Sequence, residues 1–275
     1  MGILNSVLPA INFYLNAKTL YKVHSPFVYD FTTKILDDNR HYYAFDKLNR
    51  LRSKLLKDQT KIPTVDFGAG SRKGNESERT VAHLAKTLLT APKMSEMLFK
   101  IVDHYQCKSI VELGTALGVG SLYMAMAAPQ STNVFTIEGN PFLAEYAQQK
   151  FKKMDAANIT SMTGTFEEVL PSVLERIGKV DLVYFDGHHQ KQATMDYFNL
   201  CLPHAHEDSV FIFDDINWST GMQEAWAEIK EHPKVTYSID LFRAGIVFFK
   251  PSKMGKEHFA LVPHQWKPWS AGFWG

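Results

Sequence analysis

From Ser109 onward, short apolar runs alternate with amphipathic stretches of three or four helical turns, a rhythm that few folds can absorb. Strand–helix units repeated in this way wind into a mostly parallel sheet with helices on its faces. Seven strands are predicted, over 109–113, 133–137, 158–162, 180–185, 208–213, 234–240 and 244–249. Helices fill the gaps at about 119–128, 141–154, 166–177, 191–202 and 219–231. Only Leu241 to Arg243 or so separate the last two strands, too little for a crossover helix, so those strands pair as an antiparallel hairpin.

Before this alternation the texture differs. Residues 1 to about 106 repeat apolar positions at three and four and hold few β-branched runs, which predicts helices with breaks. His24-Ser25-Pro26 reads as a helix start, with Ser25 as N-cap, Pro26 in the first turn, and Phe27, Phe31 and Ile35 along the apolar face. Ile62-Pro-Thr-Val-Asp66 is a poor strand, and Asp66-Phe-Gly-Ala-Gly-Ser71 reads as a loop between helices. Arg72 and Lys73 there could meet an anionic group, a solvated connection being the alternative. Val7 to Leu15 is apolar but has no basic lead and contains Pro9 and Asn12, so it is expected to be a helix, not a targeting segment. Met1-Gly2-Ile-Leu-Asn-Ser6 fits a loose acylation pattern that short sequences meet by chance. Trp266, Trp269, Trp274, Phe259 and Phe273 crowd the tail, which is expected to be an arm packed on its own domain, with a dimer contact or a pocket lid as the alternative.

Thirty Lys plus Arg against 29 Asp plus Glu leave a formal charge of +1, so there is no long-range field to collect nucleic acid or an anionic membrane. Cys107 and Cys201 are the only cysteines, too few for a disulfide framework and without zinc-ligand spacing. No stretch approaches the ~20 apolar residues that a bilayer span needs. A cytoplasmic protein is expected.

Two features carry chemistry. Val111-Glu112-Leu113-Gly114-Thr115-Ala116-Leu117-Gly118-Val119-Gly120-Ser121 lies where an apolar strand gives way to a helix. Glycines there permit a tight turn and close approach of a ligand to backbone N–H groups. The spacing of Gly114, Gly118 and Gly120 is not the G-x-G-x-x-G of a dinucleotide turn. The next strand ends in Glu138, where a carboxylate can accept both hydroxyls of a ribose.

Glu112-x-Gly114-x-x-x-Gly118, Glu138, Gly164-Thr165-Phe166 and Asp181-Leu-Val-Tyr-Phe-Asp186-Gly187 follow in an order that resembles the class I S-adenosylmethionine-dependent methyltransferases. The chain is most similar to the catechol-type small-molecule O-methyltransferases and a bacterial subgroup of their relatives. This resemblance implies an α/β, Rossmann-like fold, a seven-stranded mostly parallel sheet with a terminal antiparallel hairpin, preceded by an all-helical N-terminal segment. It implies a helical segment at 1–90 on the substrate side, an S-adenosylmethionine-binding domain at 91–250 and an aromatic tail at 251–275. Glu112, Gly114, Thr115, Ala116 and Gly118 would border the methionine part of the cofactor, Glu138 and Gly139 its ribose, and Thr165, Phe166 and Glu167 its adenine. Asp186 would face the sulfonium.

Asp186-Gly187-His188-His189 and Phe213-Asp214-Asp215-Ile216-Asn217 close two further strands. Carboxylates gathered beyond strand ends suit a hard cation. In the catechol-type enzymes two Asp and one Asn hold Mg²⁺ and a Lys serves as base; here Asp186, Asp214 and Asp215 would be the metal set, and His189 stands where the Lys would be. An imidazole, with an ordinary pKa near ~6.5, suits proton removal from a hydroxyl. Against this, His188 and His189 could merely cap the next helix, and Asp214-Asp215 could start the one after. The leading expectation is methyl transfer to a small-molecule hydroxyl, with a homodimer left open. The alternatives are metal-free N- or C-methylation, a non-catalytic S-adenosylmethionine-binding protein, and a nicotinamide-dependent oxidoreductase, against which the missing fingerprint and the final hairpin argue.

Overall fold

The computed structural model describes residues 4–65 and 76–270, with the backbone alone at 4–7, 64–65, 76–77 and 270. In chain order the helices are α1 (Leu4–Asn16), α2 (Pro26–Phe31), α3 (Tyr43–Leu55), α4 (Val81–Leu88), α5 (Pro92–Tyr105), α6 (Val119–Ala127), α7 (Pro141–Lys153), α8 (Phe166–Ile177), α9 (Lys191–Cys201) and α10 (Thr220–Glu231). The strands are β1 (Lys61–Val65), β2 (Glu76–Thr80), β3 (Ser109–Leu113), β4 (Asn133–Glu138), β5 (Ile159–Thr163), β6 (Leu182–Phe185), β7 (Val210–Phe213), β8 (Tyr237–Asp240), β9 (Gly245–Phe248) and β10 (Glu257–Ala260). Asp66 to Ser71 with Arg72 and Lys73, Met1-Gly2 of the acylation pattern, and Phe273 and Trp274 lie outside the described residues.

An eight-stranded sheet runs in the order β10-β8-β9-β7-β6-β3-β4-β5. β3, β4 and β5 pair in parallel, and β9 is antiparallel to both β7 and β8. The strand order reverses at β3, the kind of switch point whose carboxyl end receives ligands in open α/β sheets. All seven expected strands form, each within three residues of its predicted bounds, and the fold class stands. Two details are corrected. The tail contributes an eighth strand, β10, which extends the sheet in parallel beside β8 with Phe259 opposite Ile239. The segment before residue 90 is not all helical, because β1 and β2 form an antiparallel hairpin with Ile62 opposite Arg79. The strand propensity of β1 is poor, but Ile62 is buried with Val81 and Leu84, and such packing outweighs intrinsic preference.

By contact the chain divides into two compact units, Arg40–Val183 and Met1–Asn39 with Tyr184–Gly275. In the first unit, Phe45, Leu48, Arg52 and Leu55 recur on one face of α3 and are buried. Phe45 meets Phe99 of α5 edge-on at 5.1 Å and Tyr123 of α6 at 5.8 Å. Arg52 donates to Ser95 Oγ at 3.1 Å, which satisfies part of a guanidinium otherwise costly to bury. Gly118 adopts φ 76° at the N-terminus of α6, and a Cβ there would lie 2.6 Å from the Phe151 ring. A side chain at this position would therefore push α7 away from the turn.

In the second unit, Ser25 precedes α2 with Pro26 in its first turn, as expected, though without a side-chain cap bond. The Phe27 ring meets Tyr237 at a tilt and Phe248 edge-on, with centroids 4.7 and 4.9 Å away. The tail is part of this unit's core: Lys18 N–H donates to Ala260 O at 2.7 Å and Val262 N–H to Lys18 O at 3.0 Å. It packs on its own chain through Lys267, whose ammonium donates to Leu15 O at 3.1 Å and Ala17 O at 2.7 Å. No described helix is long and apolar enough to cross a membrane.

Candidate active site

The turn after β3 is fixed by its own backbone. Gly114 has φ 110°, a region that favours glycine, and the N–H groups of Gly114 and Thr115 donate to Ile137 O of β4 at 3.0 and 3.3 Å. Ala116 is held at φ 47°, left-handed for a residue with a Cβ. What holds it is Glu138: Ala116 N–H donates to Glu138 Oε2 at 2.8 Å, and Asn140 N–H to Oε1 at 2.9 Å. Burial raises the Glu138 pKa, against the N–H groups of Asn140, Ala116 and Gly139, which favour its charged form. The residue is only partly buried, and three N–H donors do not exhaust the roughly four acceptor sites of a carboxylate. Gly164 N–H donates to Glu138 O at 3.0 Å, which brings the end of β5 to the same edge. Thr165 then caps α8 in a reciprocal box with Glu168; Phe166 is half-buried and Glu167 exposed.

Glu112 sits beneath this surface. Its side chain is buried, Oε2 accepts the hydroxyls of Ser121 and, at 2.7 Å, Thr136, and Thr115 and Thr136 hydroxyls are 2.5 Å apart. Since Thr136 donates to Glu112, Thr115 must donate to Thr136, so one chain of hydroxyls ties the turn to β3, β4 and α6. Burial pushes the Glu112 pKa up to about 7 from an ordinary 4.5, the Ser121 and Thr136 donors oppose the rise, and the Glu138 charge adds to it. A raised carboxyl pKa means that the folded state binds the proton more tightly than the unfolded chain. Its stabilisation is complete below pH ~4.5 and is lost as the pH rises through about 7, at most about 3 kcal/mol. Chemical denaturation between pH 5 and 8 is expected to show this fall, and Glu112→Gln to flatten it; an unchanged slope in the variant would assign the pH dependence to another group.

In the second unit, β6 ends at Phe185 and the chain turns through Asp186 to His189. His188 has φ 56° and its Nδ1 lies 2.8 Å from the Tyr197 hydroxyl, the two rings stacked. His189, half-buried, places Nε2 4.0 Å from Asp186 Oδ1. Neither histidine caps α9, whose N-cap is Gln190 without a side-chain bond. Nor do Asp214 and Asp215 start α10, which Ser219 caps through Met222 N–H at 3.2 Å.

Asp214 is buried, with Oδ2 accepting the Tyr184 phenol at 2.9 Å and Oδ1 the Asp215 N–H at 2.8 Å. Burial raises its pKa, the neighbouring Asp215 charge adds to this, and the donors and Arg243 oppose it. Asp215, at φ 52°, accepts Arg243 Nη2 at 3.1 Å. A hard divalent ion needs several carboxylate oxygens turned to one point. Here Asp214 and Asp215 are each turned to protein donors, and among the described residues no group of three His, Cys, Asp or Glu is arranged to hold an ion. The expected Asp186, Asp214 and Asp215 set thus does not fit Mg²⁺, and a guanidinium supplies the positive charge beside Asp215. Tyr184, Arg243 and Asn140 escaped the sequence reading. Arg243 could have been found from the hairpin, since β9 is antiparallel to β7 and its entry turn must lie at the carboxyl end of β7.

A methyltransferase domain family matches residues 111–216. A catechol O-methyltransferase of Niastella koreensis is 29% identical over 131 residues, 46% of this chain and 57% of that protein. A protein-L-isoaspartate O-methyltransferase of Thermosipho melanesiensis is 30% identical over 87 residues, 30% of this chain and 44% of that protein. The chain thus spans about half the length of these curated relatives. Among solved structures, an O-methyltransferase from Bacillus cereus in complex with S-adenosylhomocysteine superposes with a TM-score of 0.55 at 15% identity, over 76% of this chain and 92% of that one. The O-methyltransferase TomG from Streptomyces achromogenes, in complex with S-adenosylmethionine, does so with a TM-score of 0.56 at 18% identity, over 82% of this chain and 95% of that one. At these identities the likeness is one of fold.

Proposed function

We propose that this chain, in which a methyltransferase domain family matches residues 111–216, transfers a methyl group from S-adenosylmethionine to a hydroxyl of a small molecule. The observation that carries this reading is Glu138, a carboxylate locked by the N–H groups of Ala116 and Asn140 at the edge of a glycine turn. The catechol O-methyltransferase relative supports oxygen as the acceptor atom.

In this reading Glu138 and Gly139 bind the ribose, and Gly114, Thr115, Ala116 and Gly118 line the methionine part. Thr165, Phe166 and Glu167 flank the adenine, and Asp186 faces the charged sulfur. Glu112 is a positioning residue, since its hydroxyl network holds the turn from below. Bound, the cofactor supplies a methyl already activated by its sulfonium, so the chain need only align the acceptor and remove its proton. His189 takes that proton at Nε2, and Asp186, 4.0 Å away, stabilises the imidazolium that results. The helices before residue 91 furnish acceptor contacts. Two buried, unpaired thiols, Cys107 and Cys201, support a reducing compartment, and we place the protein in the cytoplasm.

Calorimetric titration with S-adenosylhomocysteine, with Mg²⁺ or with a chelator, tests both parts. Binding in the micromolar range with no metal dependence is expected, because the aspartates are already committed to Tyr184 and Arg243. Absence of binding rejects the cofactor assignment, and binding that requires Mg²⁺ restores the metal-assisted form of the reaction.

A further inference from the structure

The outer side of α1 carries Leu8, Ile11 and Leu15 at 66%, 50% and 70% exposure. At about 100° per residue these three fall within roughly 60° of arc, one stripe. The opposite side faces inward, with the Phe13 ring 5.4 Å from that of Phe242 and Ala17 buried. Trp266 and Trp269 of the tail are 60% and 64% exposed. The tail is fastened to the end of the stripe: the Tyr14 phenol donates to Trp266 O, the Lys267 ammonium to Leu15 O at 3.1 Å, and the Tyr21 and His264 rings meet edge-on at 6.4 Å. The exposed leucines and tryptophans therefore belong to one region of the surface.

Its charge pattern says what kind of surface it fits. Residues 4–29 and 258–270 contain no Asp or Glu, and Lys18 and Lys22 stand exposed just beyond α1. We propose that α1 and the Trp266–Trp269 tail form a docking face for a membrane surface that bears anionic lipid. Aliphatic side chains on a helix lying in the interface, tryptophans at headgroup level and lysines beside them are the groups such a surface takes up. The carboxylate that does sit against the tail, Asp37, is buried and accepts the His264 N–H at 2.9 Å, so it presents little charge to anionic headgroups. With a formal charge of +1 there is no long-range attraction, so docking depends on this local arrangement. α1 has 13 residues, enough to lie in the interface and too few to span. The proposal does not depend on the methyl-transfer reading.

The test is co-sedimentation of the full chain with vesicles of phosphatidylcholine alone and of phosphatidylcholine mixed with phosphatidylglycerol. Binding to the mixed vesicles is expected, with a blue shift of tryptophan emission. The double variant Leu15→Asn with Trp266→Ser should lower the partition coefficient at least tenfold. Lys18→Ala with Lys22→Ala should lower it on mixed vesicles by about 25-fold, roughly fivefold per lysine, and leave phosphatidylcholine binding unchanged. All four side chains are exposed, and an unchanged melting temperature confirms that the variants fold. No vesicle binding by the unaltered chain, or binding indifferent to both double variants, overturns the proposal. So does a dimer in sedimentation velocity that Leu15→Asn with Trp266→Ser dissociates while vesicles are ignored, which would make a second copy the occupant.

Discussion

Replacing Glu138 with alanine is expected to weaken S-adenosylhomocysteine binding about a thousandfold, some 4 kcal/mol. Two effects add. Hydrogen bonds from ribose hydroxyls to a charged acceptor contribute about 1.5–3 kcal/mol each. The same carboxylate also holds Ala116 in a left-handed conformation and receives the N–H of Asn140, so its loss releases the turn as well. Glu138→Gln separates these only in part, because an amide has one acceptor oxygen and must turn its NH₂ toward one of the two N–H groups. It should fall between the native protein and alanine. Calorimetry with S-adenosylhomocysteine reads the affinity and thermal unfolding reads the fold. Native-like affinity in Glu138→Ala would remove the ribose from this edge and leave the proposed cofactor site without its main anchor.

His189→Ala is expected to lower kcat by about a thousandfold, within the usual span for loss of a general base, with S-adenosylhomocysteine affinity changed less than about twofold. The neighbouring histidine provides the contrast. His188 is engaged by Tyr197 at 2.8 Å through Nδ1, so His188→Ala should reduce stability by roughly 1–2 kcal/mol and spare the chemical step beyond that loss. Partial rescue of His189→Ala by added imidazole would identify a missing proton acceptor. The measurement is methyl transfer from labelled S-adenosylmethionine to catechol-like and simple phenolic acceptors. Equal losses in the two alanine variants would point to damage of the loop after β6 in place of a missing base.

The parallel core was legible because its signal is local and redundant. Most of β3 to β9 are apolar runs bounded by a turn, Gly114 and Glu138 fall at the ends of β3 and β4, and Gly118 falls at the start of α6, places that periodicity alone can find. What escaped depends on distant partners. β10 has a weak pattern, Glu-His-Phe-Ala, and becomes a strand because β8 offers an unpaired edge. β1 contains Pro63 and forms because Ile62 has a core to enter. The carboxylates tell the same story at the site. Their positions could be read, but whether Asp214 and Asp215 would face a cation or a protein donor was decided by Tyr184 and Arg243, 30 residues before the first and 28 after the second. Glu112 lies in the glycine motif and reads as a ligand contact, yet its side chain points beneath the turn, a matter of which face of β3 it occupies.

The interleaving of the two units bears on synthesis. Arg40–Val183 is continuous and can complete its core as soon as it has left the ribosome, whereas residues 4–39 bond to partners near Ala260 and Lys267. At ordinary elongation rates the first helices must wait roughly ten to forty seconds for those partners to emerge. During that interval an apolar helix is available to chaperones, or to whatever surface the ribosome faces, before the sheet edge that will hold it exists.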